Sequence, residues 1–315
     1  MKSIIVGLGN QGKKRLKSLS KNEFVASVDP CNQKADFKNI RQIDIKNYDT
    51  VYICVPEVEK INLIKYCLQH KKNFLVEKPF PVMEFNKFKS LQKKIVKSKQ
   101  VCYVAYNHRF EPFIKKIKFF LNKKILGKVY FCKIYYGNGT SKLIKKSSWR
   151  DFGAGVVEDL FPHILDLCDY FYDLKNKKIS SSFINDNSLF KASYFENRSP
   201  DNAILITRLK NILFNLEASY CMWKNSFFCE VIGEKGSLHL KSLRKWGDVQ
   251  LDYRKRIFPS GIPLTKKFLL NSKDNTWKKE NEHFKKLVKY KKKNNLNKEM
   301  WINYNLMNLI KKLKK

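Results

Sequence analysis

Acidic residues are scarce in this 315-residue chain, which carries 28 Asp and Glu against 64 Lys and Arg for a net charge of +36. Arginine is scarce as well, with nine residues beside 55 lysines. Nucleic-acid readers lean on arginine for bidentate contacts, so this lysine-heavy excess reads as a bias of the whole sequence, and no specific nucleic-acid partner is expected. No apolar run reaches the ~18 residues of a membrane span, which excludes a membrane partner of that kind. The eight cysteines are scattered, without a C-x-x-C pair. That spacing argues against both a disulfide frame and a zinc site, so no metal is expected. Reduced thiols, and a first strand starting at Ser3 with no room for a signal peptide before it, predict the cytoplasm. Internal repeats and Ser/Gly-rich linkers are also missing, so a domain boundary has to be read from a change of rhythm.

What is present is the composition of a folded chain: 43% hydrophobic and 14% aromatic residues, in a length that suits two domains. Short apolar runs at 4–6, 24–28, 51–55, 74–76 and 101–105 alternate with stretches of helical spacing. After Pro81, for example, Phe85, Phe88, Leu91 and Ile95 recur on one helix face. Continuous apolar strands alternating with helices predict a parallel sheet covered on both faces. Beyond residue 107 the rhythm changes. A helix is expected near 113–121, a strand over 129–136 and a helix over 156–171. Strands follow at 189–195, 203–208, 212–220, 227–232 and 237–241, with a hairpin turn at Gly233-Glu234-Lys235-Gly236. Residues 242–277 read as long loops, and helices over about 278–293 and 297–313 close the chain. The expected fold is α/β, with a dinucleotide-binding domain of Rossmann type over 1–106. An α+β domain with an open, mostly antiparallel sheet would take 107–315, its last helix packing back on the first domain.

Three groups of residues carry chemistry. Gly7-Leu8-Gly9-Asn10-Gln11-Gly12 follows the first strand and opens a helix. The first glycine suits a tight turn, the second a close approach to a pyrophosphate, and the third helix-on-strand packing, with the helix N-terminus facing the phosphates. Asp29 ends the second strand, 22 residues past Gly7, where a carboxylate accepts from a ribose 2′-hydroxyl and repels a 2′-phosphate. NAD is therefore favoured over NADP. Glu77-Lys78-Pro79 sits at the end of the fourth strand, at the sheet edge where such folds bind ligands, with an X-Pro bond able to be cis. Finally, Trp149-Arg150 and Gly153-Ala154-Gly155 lead into a helix bearing Asp159 and His163 at i and i+4, on one face, with Asp166 placed to orient the imidazole. An Asp–His pair suits acid–base work on a hydroxyl.

In this order the motifs resemble the Gfo/Idh/MocA family, the glucose-fructose oxidoreductase and inositol dehydrogenase group. Tyr106-Asn107-His108-Arg109-Phe110-Glu111-Pro112, Leu126-Gly127-Lys128 and the turn at residues 233–236 also fit that family. The resemblance implies hydride transfer between NAD(P) and a carbon carrying a sugar, cyclitol or nucleotide-sugar hydroxyl. It assigns catalysis to Lys78, His163 and Asp159: the lysine lowers the hydroxyl's pKa, the histidine exchanges the proton, and the aspartate holds substrate and histidine in register. Gly7, Gly9, Asn10, Gln11, Gly12, Asp29, Pro56, Glu77 and Lys78 would meet the cofactor. Arg109, Trp149, Arg150, Asp159 and His163 would meet the substrate. A homodimer or homotetramer is implied. A dinucleotide-bound regulator on the same fold is the alternative, but such proteins tend to lose the catalytic residues kept here. The chain departs from the family where Asn and His often follow Pro56; Glu57 and Lys60 stand there instead. Between Pro112 and Ser148 lie ten lysines and no acid, a field that would favour a phosphate-bearing substrate.

Overall fold

A computed structural model describes residues 1–147, 150–174, 182–185, 188–292 and 294–314. The chain forms two units, one of residues 1–107 and 275–303, the other of 108–274 and 304–315.

In the first unit, β1 (Ser3–Val6), β2 (Phe24–Val28), β3 (Thr50–Ile53), β4 (Asn73–Glu77) and β5 (Cys102–Ala105) pair in parallel in the order β2-β1-β3-β4-β5. β1 and β3 are buried along their whole length, as expected of strands with helices on both faces. Their crossovers are α1 (Asn10–Lys17), α2 (Glu57–Gln69) and α3 (Phe85–Lys97). Phe88, Leu91 and Ile95 form the buried stripe of α3 that their spacing predicts. Because β1 has β2 on one side and β3 on the other, the winding reverses there. The crevice at that switch point is where such sheets take ligands, and the glycine-rich loop leaves β1 into it.

The second unit holds α4 (Pro112–Asn122), β6 (Val129–Gly139), α5 (Ser141–Lys145), α6 (Val156–Asp159) and α7 (Phe161–Tyr172). Then come β7 (Leu189–Ser193), β8 (Asn202–Leu209), β9 (Ile212–Ser219), β10 (Cys221–Gly233), β11 (Gly236–Lys241), β12 (Val249–Lys255) and β13 (Leu264–Leu270). The sheet runs β13-β12-β11-β10-β6-β9-β8-β7, antiparallel throughout except for the parallel β6–β9 pair. One face is buried: Phe227, Cys229 and Val231 of β10 point into the core while Phe228 and Ile232 are exposed. Two departures from the sequence reading in this unit have a physical reason. Residues 242–277 contain β12 and β13, where loops were expected. β13 is an edge strand exposed along most of its length, so burial imposes no alternation on it. The single helix expected over 156–171 is two, α6 and α7, joined at Leu160. Pro162 has no N–H to give the Glu158 carbonyl, which breaks the ladder there.

α8 (Thr276–Lys289) and α9 (Asn297–Leu313) complete the chain. α8 belongs to the first unit: Phe284 is buried against Ile5, Tyr52, Leu75, Val101 and Ala105, a burial that stabilises by roughly 1.5–3 kcal/mol. The Tyr52 hydroxyl donates to Asn281 Oδ1 on the same helix. The sequence reading took 107–315 as one domain with the last helix packing back on the first; in the structure 275–303, which is α8 and the start of α9, belongs to the first unit. Residues 304–315 stay with the second, where Asn305 Oδ1 accepts from the Phe183 amide at 2.7 Å.

Candidate active site

The glycine-rich loop divides its three glycines by what surrounds them. Gly7 has φ +91°, and a methyl group on it would fall 2.5 Å from the Cys54 carbonyl oxygen of the neighbouring strand end. A methyl on Gly12 would fall 1.9 Å from the Gly7 carbonyl oxygen, so α1 can lie this close only without a side chain. A methyl on Gly9 would meet nothing within 4 Å, and Gly9, Asn10 and Gln11 are exposed. The open space is thus above Gly9, at the N-terminus of α1, which is the cradle a pyrophosphate requires. Asp29 braces the loop from β2. Its Oδ2 accepts from the Leu8 amide at 2.8 Å, and its Oδ1 from the Cys31 and Asn32 amides at 2.9 Å each. Burial pushes its pKa up, but these backbone donors outweigh it and hold the carboxyl below the usual range. A carboxylate has about four acceptor sites, so one remains for a ribose hydroxyl. Pro56, exposed, caps the start of α2. Loop, dipole and carboxylate together fit a dinucleotide.

At the end of β4 the Lys78–Pro79 bond is cis, and Lys78 is half-buried. Glu77, expected to touch the cofactor, has its carboxylate anchored inward. Its Oε1 accepts from Arg15 Nε at 2.6 Å, and Arg15 Nη2 donates to Glu280 Oε2 at 2.7 Å. Arg15 is 1% exposed and stacks over Trp277 at 4.4 Å. The three charges tie α1, β4 and α8 together, because a buried guanidinium needs carboxylates and they need it. Glu77 serves as an anchor.

In the second unit, Gly153 and Gly155 take positive φ. A methyl on Gly155 would fall 2.3 Å from the Pro200 carbonyl oxygen, so this close entry to α6 requires glycine. His163 is buried on α7, its ring parallel to Tyr136 with centroids 5.7 Å apart and 4.3 Å from the ring of His108. Lys245 Nζ lies 2.6 Å from Tyr136 Oη, which is 3.2 Å from His108 Nε2. An ammonium can only donate, so Tyr136 Oη accepts from Lys245, while the direction of its bond with His108 Nε2 is set by the imidazole tautomer. Asp159 Oδ2 accepts from the Tyr220 hydroxyl at 3.1 Å and lies 3.6 Å from Arg150 Nη2. Arg109, expected at the substrate, donates from Nε to Asp166 Oδ2 at 2.8 Å and from Nη2 to Asp169 Oδ2 at 3.1 Å. Asp166 thus receives Arg109 at Oδ2, and again through its carbonyl oxygen at 3.1 Å. Trp149 lies outside the described residues. Among the described residues no cluster of His, Cys, Asp and Glu suits a metal ion, and no helix is long and apolar enough to cross a membrane.

Comparison with known proteins matches residues 1–106 to "Oxidoreductase family, NAD-binding Rossmann fold" and residues 114–239 to the "GFO/IDH/MocA C-terminal domain". The chain belongs to the Gfo/Idh/MocA family. It is an NAD(P)-dependent oxidoreductase. Family relatives include the uncharacterized oxidoreductase YrbE of Bacillus subtilis, 23% identical over 74% of this chain and 71% of that one. The uncharacterized oxidoreductase YdgJ of Escherichia coli is 25% identical over 45% of this chain, a match spanning 43% of that relative. Among solved structures, levoglucosan dehydrogenase in complex with NADH and levoglucosan superposes with a TM-score of 0.80 at 13% identity, covering 99% of this chain and 96% of that one. UDP-N-acetylglucosamine 3-dehydrogenase GnnA from Acidithiobacillus ferrooxidans gives 0.75 at 15% identity, covering 98% and 96%.

Several residues of the site escape sequence reading. Tyr136 looks like any core residue of a strand, Tyr220 like the end of another, and Lys245 is hidden among 55 lysines. His108 sits inside a motif that the sequence reading quoted, yet nothing local says that its ring will lie on His163. Lys60 did carry a signal, as a departure from the family pattern, and its place is taken up below.

Proposed function

We propose that the chain transfers a hydride between NAD and a hydroxyl-bearing carbon of a sugar, cyclitol or nucleotide sugar, with a nucleotide sugar preferred. The observation that carries the reading is the buried His163, held by two aromatic rings on a helix that follows directly on Asp159. The nicotinamide, when bound, supplies the hydride acceptor or donor. Gly7, Gly9, Asn10, Gln11 and Gly12 receive the pyrophosphate, Asp29 the ribose of the adenosine half, and Pro56 borders the same crevice. Asp29 is also the ground for NAD over NADP, since a 2′-phosphate beside a carboxylate is repelled. Lys78 supplies positive charge where an alkoxide develops, and the imidazole of His163 exchanges the proton. Asp159, steadied by Tyr220 and Arg150, orients the substrate. The preference for a diphosphate rests on exposed Lys142, Lys145, Lys146 and Arg150, which precede the catalytic helices without an acidic residue among them. That two structural neighbours are named for a sugar and for a nucleotide sugar supports the class.

The test is NADH fluorescence during a screen of sugars, inositols and UDP- or GDP-sugars. Turnover with a nucleotide sugar and none with the free sugar is the expected result. Lys78→Ala and His163→Ala are each expected to lower turnover by at least ~10³-fold, with NADH affinity within about threefold of wild type. Unchanged turnover in either variant overturns the assignment.

A further inference from the structure

Lys60 lies in the first turn of α2 and is 1% exposed. Two general costs oppose a lysine there: burial of an ammonium, and the positive end of the helix dipole. Burial indeed draws its pKa below the usual lysine value, against the opposing pull of Glu57. The side chain nevertheless points inward and uses all three donors. Nζ donates to the Glu77 carbonyl at 2.7 Å, to the Pro79 carbonyl at 2.8 Å, and to the carboxylate of Glu57. The two carbonyls belong to the residues immediately before and after Lys78. Neither is reached by any side chain of β4 itself. Glu57, on the same turn of α2, supplies the counter-charge that lets the ammonium stay.

We propose that Lys60 is a positioning residue for Lys78: its ammonium pins the carbonyls on both sides of Lys78 and so fixes the direction in which that side chain leaves the sheet edge. The inference rests on the reading of Lys78 as the cation beside the reacting hydroxyl. The Glu77 carbonyl lies in the peptide plane that enters Lys78, and the Pro79 carbonyl lies one plane beyond the one that leaves it, so the backbone through Lys78 is held at both ends and its side chain starts from one orientation. Misplacing a catalytic group by about 1 Å costs on the order of 10²-fold in rate, which is the scale of effect a lost pin would have. Glu57 acts one step further out, by stabilising the charge on Lys60.

The experiment compares wild type with Lys60→Met, which fills the space without donors. Hydrogen exchange of the peptide covering residues 76–82 is expected to accelerate at least tenfold, with the strands β1 and β2 exchanging as in wild type. Turnover per NADH-binding site, on the substrate found by the screen, is expected to fall ten- to a hundredfold, with the KM for NADH within twofold. Wild-type exchange at 76–82 overturns the proposal. So does a loss of activity matched by an equal loss of NADH-binding sites, because the lysine would then serve folding alone. Should Lys60→Met fail to fold, Glu57→Gln loosens the same ammonium without emptying its site, and a two- to fivefold fall in turnover with faster exchange at 76–82 is the expected result; none at all overturns it. Full turnover in Lys78→Ala would overturn the role of Lys78 itself, whereas an inactive Lys78→Ala beside a wild-type Lys60→Met overturns only the positioning role.

Discussion

At the scale of single residues, the glycine-rich loop separates architecture from ligand contact within six positions. Gly12 is required by the fold, since any Cβ there collides with the backbone of Gly7. Gly9 is not, since its surroundings are open and its φ of −76° suits any residue. Two alanine substitutions should therefore fail differently. Gly12→Ala is expected to destabilise the protein by about 1–3 kcal/mol through overpacking, lowering the melting temperature by roughly 2–10 °C. Gly9→Ala is expected to leave the melting temperature within about 1 °C while weakening NADH at least tenfold, about 1.4 kcal/mol. Calorimetry and NADH titration on the two proteins check this. A Gly9→Ala protein that binds NADH as wild type does would remove the cradle from the functional reading. The glycines and Asp29 were legible in the sequence because their spacing encodes a local turn. The ion pairs of Glu77 and Arg109 were not legible for the opposite reason: their partners, Arg15 and the Asp166–Asp169 pair, are distant in the chain, and spacing carries no information about them.

At the scale of elements, the second site is an assembly of pieces that none of its helices or strands could supply alone. α7 brings His163, β6 brings Tyr136, the turn before α4 brings His108, and the loop between β11 and β12 brings Lys245. The Tyr136 hydroxyl joins Lys245 to His108 Nε2. The ring of Tyr136, by stacking, fixes where His163 lies. The two contributions can be parted. Tyr136→Phe keeps the stack and deletes the hydroxyl that bonds His108 Nε2. It is expected to cost about 1–3 kcal/mol of stability and to lower turnover by roughly three- to thirtyfold, with substrate KM little changed. Tyr136→Leu also removes the stack and is expected to lose at least about tenfold more. Denaturant titration and steady-state kinetics read both. Equal turnover in the two variants would mean that the ring does not position His163. Strand and helix identities were readable wherever one face is buried, as in α3 and β10. They were unreadable in β13, whose position at the sheet edge removes the alternation that betrays a strand.

At the scale of the whole molecule, a return to the first unit was expected of the last helix, but that α8 begins it was hidden, because an amphipathic helix advertises a buried face but not the surface that buries it. Phe284 and Glu280 decide its host through contacts nearly the length of the chain away in sequence. The charge is the other property of the whole. With +36 on 315 residues, the protein carries a long-range positive potential, which salt screens within about 10 Å at 0.1 M ionic strength. A field of this kind draws in anions and is indifferent to neutral solutes. If the lysines serve substrate capture, raising ionic strength from about 20 mM to about 500 mM should raise the KM of a UDP- or GDP-sugar on the order of tenfold. The KM of a neutral sugar, where one is turned over, should move less than about twofold under the same conditions. Reversing Lys142, Lys145 and Lys146 to glutamate should remove most of the salt dependence if the field is local to α5. If the dependence persists in that variant, the capture belongs to the net charge of the whole surface. A KM for the nucleotide sugar that ignores salt would instead leave the lysines as solvated background, with substrate choice resting on direct contacts alone.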